Sequence, residues 1–156
     1  MNNNEILNRL SGTLNLNAAN IAKVFSLTEL SVTNEQVVQW LEKEESDAFI
    51  ELKNIELASF LNGLIAFKRG KREGEQPKPE WKLSNNIIFQ KLRIALNLQT
   101  TDIIDILQLA GSTITKHELS ALFRKPGNKH YRSCKDQTLS DFLAGLELKF
   151  RHNDNK

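Results

Sequence analysis

A lone cysteine, Cys134, stands among 156 residues. No intramolecular disulfide can form, and one thiol suits a reducing compartment. Three prolines and seven glycines are too few for a collagen-like or low-complexity chain. No apolar run approaches the ~18 residues that a membrane span requires. The start, Met1-Asn2-Asn3-Asn4-Glu5, has neither the basic nor the apolar stretch of an export signal. Together these absences read as a soluble, unexported, cytoplasmic protein with no membrane partner. What is present is an ordinary globular balance: 40% hydrophobic residues, 26% charged, and 21 Lys+Arg against 19 Asp+Glu, which excludes disorder.

The chain repeats itself. Residues 3–70 align with 85–152 at a constant offset of 82 without a gap, and 18 of the 68 pairs are identical. Asn3-Asn4 meets Asn85-Asn86, Leu14-Asn15-Leu16 meets Leu96-Asn97-Leu98, and Phe60-Leu61-x-Gly63-Leu64 meets Phe142-Leu143-x-Gly145-Leu146. Similar apolar pairs fill the gaps, such as Val24 with Ile106 and Phe49 with Tyr131. Self-similarity of this kind marks a tandem duplication. The expected organisation is a first repeat at 1–70, a charged linker at 71–84, a second repeat at 85–152 and a disordered tail at 153–156. Pro77 and Pro79 favour extended backbone in the linker. Trp81 is expected to dock on one repeat, because leaving it exposed forfeits about 2 kcal/mol of burial.

Each copy reads as four helices. In the first, Ile6, Leu7, Leu10 and Leu14 recur at helical spacing, then Ile21, Val24 and Phe25, then Val37, Trp40 and Leu41, then Leu57, Phe60, Leu61 and Leu64. Strand-like alternation is absent. Thr33-Asn34-Glu35-Gln36 and Thr115-Lys116-His117-Glu118 are capping boxes at one register. Asn54 and Asp136 are read as the N-caps of the fourth helix in each copy. Gly63 and Gly145 fall mid-helix, where each costs about 1 kcal/mol relative to alanine. Close helix packing beside Phe60 and Phe142 explains them, with the other copy's fourth helix as the expected neighbour. The fold class that follows is all-α: two four-helix units packed with pseudo-two-fold symmetry about a seam of fourth helices.

Chemistry is scarce. His117, His130 and His152 show no metal-ligand spacing, and Gly63 to Gly70-Lys71 is no phosphate-cradling motif. Glu42, Glu44, Glu45 and Asp47 imitate an oxygen-ligand cluster, yet the second copy has Arg124, Pro126, Gly127 and Lys129 there. Cys134 is aligned with Leu52 and reads as an apolar filler, not a nucleophile. No catalytic residue, metal or cofactor is therefore expected.

Charge separates the copies. Residues 1–67 carry 4 Lys+Arg against 9 Asp+Glu, whereas residues 83–156 carry 11 against 7. A basic half serves to attract phosphates, and opposed halves serve equally to pair with each other or with a neighbouring subunit. The stretch from Asp102 to Gly111, followed by the capped segment Lys116 to Arg124, is like a helix-turn-helix with an overlong turn. Its usable face is Lys116, His117, Ser120, Arg124 and Lys125, with Lys129 and Arg132 beyond.

Three blocks carry a resemblance: Trp40-Leu41-Glu42-Lys43-Glu44-Glu45; Ser59-Phe60-Leu61-Asn62-Gly63-Leu64-Ile65 with Lys68-Arg69-Gly70-Lys71; and Asn85-Asn86 with Lys91-Leu92-Arg93-Ile94-Ala95. With them the chain resembles, over nearly its whole length, the small bacterial YehS-like proteins, a tandem domain-of-unknown-function family. The second copy departs from the second block at Ala144, Glu147 and His152. The resemblance implies a bacterial, cytoplasmic, all-helical protein and brings no activity or catalytic residue. The functional expectation is a non-catalytic binding module. A protein partner or self-association is preferred, and nucleic-acid binding by the basic second repeat is the alternative.

Overall fold

The computed structural model describes residues 1–154, which contain eight α-helices and no strand. Four lie in a compact unit, Met1–Leu83: α1 (Asn3–Thr13), α2 (Ala18–Phe25), α3 (Asn34–Leu41) and α4 (Asn54–Arg69). Four more lie in a second, Ser84–Lys156: α5 (Asn85–Ala95), α6 (Thr100–Leu109), α7 (Lys116–Leu122) and α8 (Asp136–Asp154). Of the tail expected at 153–156, residues 153–154 end α8 and 155–156 lie outside the described residues.

Each unit wraps short helices round a long one. In the first, α4 packs against α2 and α1, while α3 closes on α2 and α1. In the second, α8 packs against α6 and α5, and α7 against α6. The periodic apolar residues form the cores: Leu7, Ile21, Val24, Phe25, Val37, Leu57, Phe60 and Leu64 are fully buried in the first unit. Each such side chain contributes about 1.5–3 kcal/mol relative to exposure. Aromatic volume is traded between the copies. Phe60 meets Phe25 at 5.7 Å and Phe25 meets Trp40 at 5.5 Å, whereas Phe142 stacks on Phe89 at 4.3 Å and Phe89 meets Phe123 edge-on at 5.3 Å. Where the first copy has Leu7 and Phe25 the second has Phe89 and Leu107, so one ring moves from the second helix to the first. Close-packed interiors accept such exchanges when the summed volume is kept.

The glycines mark close packing, but with a neighbour other than the one expected. A Cβ at Gly63 would lie 3.1 Å from the Val24 carbonyl carbon, and one at Gly145 would lie 2.8 Å from that of Ile106. The crossing is thus α4 on α2, and α8 on α6, inside each unit. The other copy's fourth helix is not needed to account for either glycine.

Both threonine capping boxes are present. Gln36 N donates to Thr33 Oγ1 at 3.1 Å and Glu118 N to Thr115 Oγ1 at 3.0 Å, with the reciprocal bonds at 2.8 and 3.1 Å. Asn54 and Asp136 are not caps: they are the first helical residues. Their Oδ1 atoms instead accept bonds from Asn3 Nδ2 at 2.8 Å and Asn85 Nδ2 at 2.7 Å. Each of these acceptors serves an asparagine 51 residues earlier in the chain, a partner that local spacing does not display.

Those asparagines belong to a polar clamp written twice. Asn4 Nδ2 donates to the carbonyls of Trp40 (3.0 Å) and Ile50 (2.8 Å), and its Oδ1 accepts from Leu52 N at 2.9 Å. Asn86 does the same with Leu122, Arg132 and Cys134, at 3.0, 2.8 and 2.8 Å. One buried amide in each copy thereby pins the loop between the third and fourth helices to the first.

Trp81 contradicts its expectation: it is 77% exposed. The linker lies on the first unit through Pro77 and Pro79, which line a cavity with Leu27 and Leu30. Rigid proline rings cover that apolar surface, and the indole two residues on is left in water.

Candidate nucleic-acid interface

Helix α7 is short, as is its counterpart α3, which ends at Leu41 with no proline behind it. Pro126 disfavours helical backbone at Lys125, and the helix stops at Leu122, two residues before the expected Arg124. Leu119 and Leu122 face inward, while Lys116, His117 and Ser120 are exposed. Lys116, Ser120 and Phe123 follow one another at helical spacing, and Arg124 and Lys125 continue the stripe beyond the last turn.

This stripe forms one wall of an open cleft of about 440 Å³. Lys116, Ser120, Arg124 and Lys125 border it, with Arg93 from α5, Thr100 from α6 and Asn128 at the end of the following turn. The Arg93 guanidinium lies over the Phe123 ring, 4.8 Å from its centroid, an arrangement that attracts the cation to the ring face and holds it still. Among the described residues no carboxylate lines the cleft. The four corresponding positions of the first unit, Ser11, Asn34, Glu42 and Lys43, carry no net charge. The basic character is therefore a property of one copy.

The structure brings together four of the seven residues expected to meet nucleic acid and leaves three aside. His117 is exposed on α7 but does not border the cleft, and neither do Lys129 and Arg132. Arg132 is partly engaged in its own loop: Nη1 donates to Tyr131 O at 2.9 Å, while its backbone meets Ala121 and Asn86. Arg93 is the residue that sequence reading missed. Its signal was available, since a cation replaces Ser11 in the aligned copy. Its approach to Phe123 joins α5 to the end of α7, which one-dimensional spacing does not display.

Between α6 and α7 six residues, 110–115, form the turn, longer than the three or four of a helix-turn-helix. Glu118 is spent on the α7 cap, where the Thr115 amide and then its hydroxyl hold the carboxyl below its usual range. Cys134 is buried and its thiol is pushed up to about 11, chiefly by that burial and next by the Asp136 charge; such a thiol is a poor nucleophile at neutral pH. Among the described residues no three His, Cys, Asp or Glu side chains converge as metal ligands, and no helix is long and apolar enough to cross a membrane.

A family model described as "Protein of unknown function (DUF1456)" matches this chain twice, over residues 3–70 and 85–152. The chain is 40% identical over 147 residues to "Uncharacterized protein YehS" of Escherichia coli (strain K12), covering 94% of each chain. No solved structure matches it. Two matches in tandem and a relative aligned almost end to end give one conclusion: the chain belongs to the DUF1456 family.

Proposed function

We propose that the protein is a non-catalytic binding module whose second unit grips the phosphate backbone of a nucleic acid through the cleft beside α7. The observation that carries this reading is the convergence of Arg93, Lys116, Arg124 and Lys125 on one carboxylate-free cleft. Cations so placed displace the counterions condensed on a phosphate backbone, and Phe123 and Asn128 add a flat ring and an amide beside them. Contacts of this kind fix position on the backbone and carry little sequence discrimination.

The test is fluorescence anisotropy of a labelled 20-base-pair duplex over a salt series. Four cations engaged with phosphates give a log–log salt slope of about −3 to −4. Arg124→Glu or Lys125→Glu lowers affinity at least tenfold at low salt and flattens the slope by about 1 or more. Absence of binding to duplex DNA and RNA at low salt removes the reading.

A protein partner or self-association is favoured by one separate observation. Leu109 on α6 is 52% exposed and Leu148 on α8 is 42% exposed, whereas their counterparts Leu27 and Ala66 line the cavity beneath the linker. Sedimentation in which Leu109→Lys with Leu148→Lys abolishes a concentration-dependent mass increase supports self-association; a monomer at all concentrations counts against it.

A further inference from the structure

Beneath the linker the first unit holds a cavity of about 410 Å³, within the usual range of small-molecule sites. One stripe of α4 forms its floor: Ile55, Ser59, Asn62 and Ala66, spaced by four, three and four residues. Leu30 supplies an apolar side, and Pro77 and Pro79 roof it. The charged residues that border it, Glu29, Lys71, Glu75 and Lys78, are all exposed.

Thr28 and Gln76 border it half-buried, and two further polar side chains in its lining are buried. Ser59 is 3% exposed and Asn62 is 7% exposed, one helical turn apart. Core packing does not require an amide there, because the second copy places Ala144 at the Asn62 position on the same helix. Nor is the enclosure general: Ile55 becomes Gln137, Ser59 becomes Asp141 and Leu30 becomes Ser112. Apolar walls with a few convergent polar groups are how proteins hold and orient small ligands.

We propose that this cavity binds a small, uncharged, largely apolar molecule bearing one amide or carbonyl group. The Ser59 hydroxyl and the Asn62 carboxamide face its polar end, and the Pro77 and Pro79 rings cover its apolar end. The ligand is uncharged because the ionisable side chains that border the cavity are all exposed, so none is buried to compensate a buried charge. The site is in the other repeat from the basic cleft and does not depend on the nucleic-acid reading.

The experiment uses the full chain, isotope-labelled, with benzamide as the probe and α-methylstyrene as its isosteric hydrocarbon. Benzamide is expected to shift the Asn62 side-chain amide and the Ile55 methyl resonances saturably, with a Kd on the order of 1 mM for so small a molecule. Asn62→Ala, which installs the second copy's residue, weakens binding about tenfold, and α-methylstyrene binds about tenfold more weakly than benzamide to the native chain. Ser59→Ala provides a second variant, expected to weaken binding severalfold. Overturning results are shifts that fail to saturate or that scatter away from α4 and the linker, equal affinity for the hydrocarbon, or undiminished binding by both folded variants.

Discussion

The side chains that organise each repeat most economically are Asn4 and Asn86. Each makes three hydrogen bonds to backbone groups 36 to 48 residues away, and each is buried. A net hydrogen bond is worth about 1 kcal/mol, but stranding its buried partners costs more. Asn86→Ala leaves the Leu122 and Arg132 carbonyls and the Cys134 amide without their partner, and should lower unfolding stability by about 3 kcal/mol in urea titration, with Asn4→Ala similar. A loss under 1 kcal/mol would mean that water replaces the amide without cost. The repeated Asn-Asn pair was legible as an identity, but its role was not, because no local pattern tells a residue on a first helix that it caps a loop two helices later. The exposed Trp81 is the opposite case, where a general rule about tryptophan burial lost to two prolines better placed to cover the same surface.

At the scale of the element, local chemistry was the most readable layer. Helical periodicity, the two threonine boxes and the mid-helix glycines all appear where the residues imply, because each depends on neighbours within four positions. What a glycine packs against depends on tertiary contact, and there the inference pointed to the wrong helix. The correction sharpens a prediction. Alanine at Gly63 or Gly145 gains about 1 kcal/mol of helix propensity but drives a methyl into a backbone carbonyl of α2 or α6. Backbone yields little, and overpacking costs about 1–3 kcal/mol, so the clash should win. Both alanine variants should be destabilised in denaturant titration, Gly145→Ala more than Gly63→Ala because its contact is tighter, and Gly63→Leu more still. The paired caps differ in one further way. Gln36 caps without charge, whereas the depressed Glu118 carboxyl stabilises α7 above the ordinary carboxylate range and loses that contribution as pH falls through its lowered value. Glu118→Gln should flatten the acid limb of the second unit's stability, followed by resonances of α7, and leave α3 unchanged.

Over the whole molecule, duplication supplied two copies of one scaffold and substitution then gave them different surfaces. The first unit carries the excess of acid and a linker-roofed cavity; the second carries the excess of base and an open cleft. The division of charge was legible from counting. The convergence of Arg93 with the α7 residues was not, since it needs α5 and α7 folded together. If the cleft's affinity for phosphate comes from its charges on a shared scaffold, the scaffold of the first unit should accept the same charges. Ser11→Arg, Asn34→Lys and Glu42→Arg reproduce Arg93, Lys116 and Arg124 at the positions 82 residues earlier, where Lys43 already matches Lys125. Ser11 is the demanding site: it is buried and its hydroxyl bonds Leu7 O at 2.7 Å, so Asn34→Lys with Glu42→Arg forms a milder two-residue graft. Placed in an Arg124→Glu background, the graft should restore salt-sensitive duplex binding, recovering a log–log slope of about −2 to −3 from its three cations. A graft that folds, as judged by its helical signal and melting temperature, yet leaves binding at the Arg124→Glu level would show that position within the second unit, and not charge on a common frame, makes the site.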